Sequence, residues 1–335
     1  MYIGTHPYVA IVSVMVTVSL LAGSCRTEKV KVIKFSHVGP LEDARQVTAL
    51  KFKEIVEARS KGQIRVEVYY GAQLGGDRDA IEGVRLGTIQ MTTAGAGIFS
   101  NFEPKMGITA LPYLFESLEQ AWAFNDSDTN ARVDELLGKQ KMRVLANWEN
   151  GFRCLTNSVK PIEHLDDLKG LKIRTPENPV ILATLKALGA NGSPLPWAEV
   201  YMALQQGIFD GQENPIHIIF NQKIYEVQKH LALTHHIYEP MPVVISEQFW
   251  AGLSAEEQAI IQDAATRAQT FNRQYIKTQT EQMLEQMKQK GVLVTSPDLT
   301  GFREATASVH EQFTGVFGKE LIDEVYGFVK RGKLD

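Results

Sequence analysis

From residue 30 onward the apolar positions fall into two alternating rhythms. Residues 30–38 read as a strand. Ala49, Phe52, Ile55 and Val56 then share one face of a helix over residues 46–59, and Gly62 stops it. Ile64, Val66, Val68 and Tyr70 alternate with Arg65, Glu67 and Tyr69, the two-residue period of a half-buried strand. A helix is expected from Asp77 to a stop at Gly87, followed by a strand over residues 89–93. Ser117 and Gln120 form a capping box ahead of a helix through Phe124, and residues 142–148 read as a strand. This repeated exchange of periods is the mark of an α/β domain.

A second α/β run begins near Gly151. Residues 171–174 form a short strand that Pro176 ends. Helices follow over residues 179–188, closed by Gly189, and 199–206, closed by Gly207. The stretches 84–90 and 203–210 look alike, each a helix that ends in Gly and runs into a strand, as two lobes of similar topology would give. The longest helical pattern covers residues 254–290 and contains no Pro or Gly. Ile260, Ala264, Ala268, Phe271 and Tyr275 mark its apolar stripe. Straight, it would reach about 55 Å. A 150-residue domain is roughly 40 Å across. The helix is therefore expected to bend or to brace both lobes. No low-complexity linker divides the chain, so the crossings are expected on ordinary strands and on this helix.

The first 25 residues differ in kind. Residues 9–22 are uninterrupted apolar and small side chains, too short to span a bilayer and suited to a secretory signal, although only His6 among the preceding residues carries any basic character. Cys25 directly follows Leu21-Ala22-Gly23-Ser24, which resembles a bacterial lipoprotein cleavage box. Two readings stay open: an acylated Cys25 as first mature residue, or a spare cysteine beside a plain cleavage site. With Cys25 acylated, Cys154 has no disulfide partner, and a core of this size needs none. The 335 residues are 44% hydrophobic and 22% charged, which excludes a disordered or fibrous chain. A net charge of −4 with dispersed Lys and Arg excludes a nucleic-acid footprint.

Enzyme signatures are missing: no Walker loop, C-x-x-C, H-E-x-x-H or G-x-S-x-G occurs. The 95–100 stretch approaches a dinucleotide fingerprint but ends in Ser100, and reads as a turn beside a pocket. His235 and His236 point to opposite sides of an extended chain, so with His217 they make no metal site. Asp166-Asp167 and Glu256-Glu257 read as solvated helix starts. What stands out is Arg174, at the C-terminal end of a short strand in Lys172-Ile173-Arg174-Thr175-Pro176. That end of an open α/β sheet faces the ligand crevice. A guanidinium there offers a planar fork that fits a carboxylate.

The stretches 151–158 (Gly-Phe-Arg-Cys-Leu-Thr-Asn-Ser) and 168–176 (Leu-Lys-Gly-Leu-Lys-Ile-Arg-Thr-Pro) precede 199–205 (Glu-Val-Tyr-Met-Ala-Leu-Gln). Asp210-Gly211-Gln212-Glu213-Asn214-Pro215 and Tyr225-Glu226-Val227-Gln228-Lys229 complete the series. In this order and spacing they resemble the DctP family, solute-binding subunits of tripartite ATP-independent periplasmic (TRAP) transporters. The stretches 73–78 and 111–115 extend the resemblance over the mature chain. It implies a two-lobed periplasmic-binding-protein-like clamp braced by a long helix. Lobe I would comprise residues 26–150 plus about 240–279, and lobe II residues 151–239 plus about 280–335. It implies a carboxylate clamped by Arg174, with Arg153 as second cation and Asn214 orienting the carboxylate or a hydroxyl. Trp197 would be an aromatic wall; Asp77 and Asn150 would line the cleft, and His37 would end the first strand beside it or sit in the core. It further implies small and large membrane subunits as partners, no cofactor, a monomer, and a periplasmic or cell-envelope location, lipid-anchored if Cys25 is acylated.

Family members that bind sialic acid carry an acidic residue after the third strand; here residues 92–97 have none, which argues against sialic acid. A monocarboxylic sugar acid such as a hexuronate is expected over a C4-dicarboxylate. A second carboxylate would want a cation on the first-lobe wall, where residues 95–100 hold none and Arg78 stands beside Asp77 and Asp79. Two other classes stay open: a sensor accessory with the same cleft, and an enzyme using Glu149 or Glu213 as general base.

Overall fold

The computed structural model describes residues 1–4 and 30–331; Cys25 and the apolar run before it lie outside the described residues. Nine strands form one mixed sheet: β1 (Lys31–Ser36), β2 (Ile64–Tyr69), β3 (Met91–Thr93), β4 (Met142–Asn157), β5 (Lys172–Thr175), β6 (Asn191–Pro194), β7 (Gly211–Pro215), β8 (His230–Ser246) and β9 (Leu293–Thr295). Their order is β2-β1-β3-β8-β4-β7-β5-β6, with β9 alongside β8. The expected division at Gly151 falls inside β4. That 16-residue strand and the 17-residue β8 run antiparallel through both lobes. The N-terminal part of β4 and the C-terminal part of β8 carry β3, β1 and β2 on one side. The remaining parts carry β7, β5, β6 and β9.

Alternation along the two long strands builds a core on each face of each lobe. Val243 and Ile245 pack with Phe35, Phe52 and Trp148, while Val244 between them packs with Ile81, Phe99 and Leu137. In the other lobe Leu155 and Ala232 join Ile173, Ile181 and Phe302, while Cys154 and Leu231 join Val200, Ile219 and Met287. The layers are helix, sheet, helix.

The helix Ala255–Gln289 braces both lobes. Its Ile261, Ala264, Ala265 and Ala268 enter one lobe's core, and its Met283 and Met287 enter the other's. Ser254 caps it, with Glu257 reaching back to the Ser254 N–H. One packing relation does not follow the chain. Leu111, Phe115, Ala121 and Phe124 share a core with Ile181 and with Phe302 and Val325 of the C-terminal helices. No helix among the described residues is long and apolar enough to cross a membrane.

Candidate functional site

The two halves of the sheet meet along a cleft of about 870 Å³, within the size range of small-molecule sites. Arg174 lies on its wall because β5 is only four residues long and ends at Thr175. Its Nε and Nη2 donate to the Leu195 carbonyl at 2.9 and 2.5 Å, and its guanidinium lies 5.3 Å from the Trp197 ring centre. Trp197 is held by the 3-10 turn Trp197–Glu199 that follows β6. Arg174 is 3% exposed, yet no carboxylate of the described residues lies within ion-pair distance of it. Burial pulls its pKa down to about 9, with nearby Arg153 adding to the shift against the attraction of Glu213.

Arg153 has the opposite surroundings. Its guanidinium donates to the Glu213 carboxylate through Nε and, at 2.9 Å, through Nη2. It also reaches Glu239 Oε2 at 2.5 Å, the Glu213 carbonyl at 2.7 Å and Asn214 Oδ1 at 3.3 Å. Burial raises the pKa of Glu213, but Arg153 and His236 together overcome it and hold the carboxyl down at about 2. Thr175 donates to Glu213 at 2.8 Å, and His236 stands 3.4 Å from it. The register explains the cluster: β7 sets Pro215 opposite Arg153 and Asn214 opposite Cys154, while β8 sets Glu239 opposite Gly151.

Asn150 and Arg153 are three apart and would face opposite sides of a regular strand. A register shift between Glu149 and Gly151, with Gly151 at φ +116°, brings both to the cleft. Asn150 Nδ2 donates to Glu239 at 2.8 Å, and its Oδ1 is buried without a partner. Gly95 lets the opposite wall close on Glu239, since a Cβ there would lie 2.5 Å from its Oε1. Asp77, first residue of the helix Asp77–Leu86, also lines the cleft, and its Oδ1 is enclosed without a partner. Burial raises its carboxyl to about 6, against the pull of Arg45 and Arg174.

These walls belong to a known architecture. Residues 35–315 match the family described as bacterial extracellular solute-binding protein, family 7, the DctP family. The chain belongs to this family. It is 35% identical to the 2,3-diketo-L-gulonate-binding periplasmic protein YiaO of Escherichia coli over 290 residues, 86% of this chain and 88% of the relative. It is 37% identical to the sialic acid-binding periplasmic protein SiaP of Vibrio cholerae over 279 residues, 83% and 87% of the two chains. Among solved structures, the sugar acid binding protein DctPAm of Advenella mimigardefordensis, in complex with galactonate, superposes with a TM-score of 0.88 at 31% identity, covering 90% of this chain and 99% of that one. A TRAP periplasmic solute-binding protein of Sulfurospirillum deleyianum with bound succinate superposes at 0.84, 29% identity, and 88% and 98% coverage. The chain is thus a TRAP solute-binding protein with the two-lobed fold. Such subunits bind small organic acids and work with membrane subunits, and the family's members are binding proteins rather than enzymes.

Within this DctP-family cleft the structure gathers Arg174, Arg153, Asn214, Trp197, Asp77 and Asn150 around one cavity. His37 does not line it. His37 is buried beside Gln46, whose Oε1 is 3.0 Å from its Nε2, and burial together with Arg45 lowers it to about 4. Glu149 also misses the cleft. It sits across the bulge on the other face of β4, where Trp122 and Tyr238 donate to its Oε2. His217 contacts the Asn150 carbonyl and His235 packs edge-on against Phe152.

Two lining residues escaped the sequence reading. Glu239 falls within a stretch whose alternation gives no sign of a buried acid. Arg45 overturns the expectation that the first-lobe wall has no cation except Arg78. Arg45 lines the cleft, but Nε and Nη2 fork onto Asp43 at 2.9 and 3.0 Å. The Asp-x-Arg spacing was the available signal. Arg78 instead turns to Glu177 at 2.9 Å, and Asn101 donates to the Glu177 carbonyl at 2.8 Å, so both tie the two lobes at the cleft mouth.

Proposed function

We propose that this TRAP solute-binding protein captures a monocarboxylic sugar acid, with Arg174 as the carboxylate clamp. The observation that carries this reading is Arg174 itself: a buried guanidinium in the cleft with no carboxylate partner among the described residues. A buried cation with no carboxylate in contact is costly, and an incoming carboxylate relieves that cost through charge-assisted hydrogen bonds. Arg153 and Arg45 are each matched by carboxylates of the chain. That leaves one free arginine for one ligand carboxylate. Asn214, Asn150, Glu239 and Asp77 supply acceptors and donors suited to hydroxyl groups, and Trp197 covers the apolar face of a sugar carbon chain or ring. The relatives named for 2,3-diketo-L-gulonate and galactonate support a polyhydroxylated acid.

Ligand contacts on both walls favour closure of the lobes about β4, β8 and the long helix, and the loaded form delivers its solute to the membrane subunits. We assign the subunit to the periplasm as a monomer, tethered through acyl chains on Cys25. Detergent partitioning that is lost in Cys25→Ser tests the tether.

The ligand is tested by titrating galactonate, glucuronate and galacturonate against succinate and malate in a calorimeter. A sugar acid at 100 times its Kd should also add about 2.7 kcal/mol of stability. Submicromolar succinate binding with no response to the sugar acids sinks the sugar-acid reading and leaves the family intact.

A further inference from the structure

Inside an exposed rim of Arg78, Asp79, Glu177 and Glu199, seven charged groups meet around the cleft: Arg45, Arg153 and Arg174 against Asp43, Asp77, Glu213 and Glu239. The pairing among them is uneven. Arg45 holds Asp43, and Arg153 holds both Glu213 and Glu239. Two groups are left over, one on each wall. Arg174 in the second lobe has no carboxylate within ion-pair distance, and neither oxygen of Asp77 in the first lobe has a hydrogen-bond partner among the described residues. The two act on each other across the cleft, Arg174 favouring the ionised Asp77 and Asp77 favouring the charged Arg174.

With all carboxyls ionised and the histidines neutral, the set carries one negative charge more than positive. A ligand carboxylate seated on Arg174 adds another, and it takes from Asp77 the cation that faces it. We propose that Asp77 is the counter-charge of Arg174 in the empty cleft, and that it binds one proton from solvent when an organic acid takes its place. The new O–H bond turns Asp77 from a repelling anion into a donor aimed at the ligand. Asp77 is the site of uptake because the other three carboxylates keep their arginines when the ligand arrives. The groups that face it support this choice. Burial raises it; Arg45 and Arg174 pull it down; Glu239 and Asp43 push it up. On its own helix, Arg78 is turned away onto Glu177 and Asp79 caps the Gly76 N–H. Its empty-cleft value of about 6 leaves it largely ionised at neutral pH and ready to accept a proton.

This proposal rests on the carboxylate reading of Arg174, and its test separates the two. Galactonate and glucuronate are titrated at pH 7 in buffers of different ionisation enthalpy. Uptake of between about half and one proton per ligand is expected, with Kd weakening roughly tenfold or more from pH 6 to pH 8. Asp77→Asn should abolish both the uptake and the pH dependence. Binding without proton uptake, or uptake that persists in Asp77→Asn, overturns the proposal while leaving the carboxylate clamp standing. The counter-charge is also read without ligand, by carbon-13 titration of the Asp77 carboxyl, assigned by its absence from Asp77→Asn. In Arg174→Met its pKa should rise by about one unit or more, since an opposite charge nearby lowers a carboxyl by 1–3. An unchanged value overturns the proposal even if neither acid binds, an outcome that by itself counts only against the sugar-acid reading.

Discussion

Arg153 and Arg174 are both buried arginines of one cleft, and their surroundings assign them different work. Arg153 stands where β4, β7 and β8 run side by side, so two carboxylates from neighbouring strands close on it. Arg174 stands at the open end of β5, where the chain turns away and only a backbone carbonyl and an indole meet it. The first arrangement is a completed ion cluster that ties the crossing strands together. The second is a charge with no carboxylate in contact. An arginine in a binding cleft is therefore read as a clamp or as a strut by what already holds it.

The sharpest way to break this contrast is Arg153→Ala. It strands Glu213 and Glu239 in the interior, and breaking a buried pair from one side costs about 3–5 kcal/mol. A large fall in Cm in urea, with the m-value kept, is expected; an unaltered midpoint would remove the strut. Arg174→Ala should do the reverse. The empty fold should keep most of its stability, because no carboxylate is hydrogen-bonded to Arg174 and Asp77, which faces it, can take up a proton. Ligand affinity should fall by about 2–4 kcal/mol, the scale of one or two hydrogen bonds to a charged group. Arg174→Lys should not restore it, since a point charge lacks the fork. Calorimetry and thermal unfolding of the same variants separate the two effects.

A smaller effect is expected behind β4. Burial holds the Glu149 carboxyl up at about 7, against hydrogen bonds from Trp122 and Tyr238. A raised carboxyl contributes its full stability below the ordinary carboxylate range and loses it as pH rises through about 7. Wild type should lose on the order of 2 kcal/mol at this site between pH 5 and pH 8. Glu149→Gln should flatten that slope in unfolding curves recorded at both pH values. Asp134, also raised to about 7 by burial, leaves part of it in place. An identical slope in the variant would place the titration elsewhere. The smallest effect belongs to the Arg78–Glu177 bridge. Both side chains are more than half exposed, so Arg78→Ala should change affinity by less than about 1 kcal/mol. The change should appear in the release rate and shrink with salt, which stopped-flow displacement at two ionic strengths measures.

Much of the fold was legible because local rules were strong. The strand over residues 64–69, the helix stop at Gly87 and the long helix after Ser254 follow from period and caps, and the structure has each of them. The length of β4 and β8 was not legible. Each changes neighbours halfway along, so neither shows one continuous pattern, although crossings between the lobes were expected on strands. The capping box at Ser117 was half right: Gln120 N donates to the Ser117 hydroxyl at 3.1 Å, but the Gln120 side chain accepts from Glu116 N. At the site, Arg174 was visible from its place before a proline-marked strand end. Glu239 and Arg45 were not, because their meaning lies in what they face.

By itself the sequence determined the α/β layering, the long helix and an arginine at the mouth of a short strand, and its motifs resembled the family. The first three rest on periodicity, caps and spacing, which act over a few residues along the chain; the family rests on the resemblance. Only the tertiary structure decided which cleft arginine lacks a carboxylate in contact, that Asn150 and Arg153 share a face, that His37 and Glu149 lie off the cleft, and that Asp77 Oδ1 has no hydrogen-bond partner. Pairing between charges is settled by distances across strands and lobes. A register shift of one residue at Gly151 is enough to exchange the two faces of β4, and nothing local announces it.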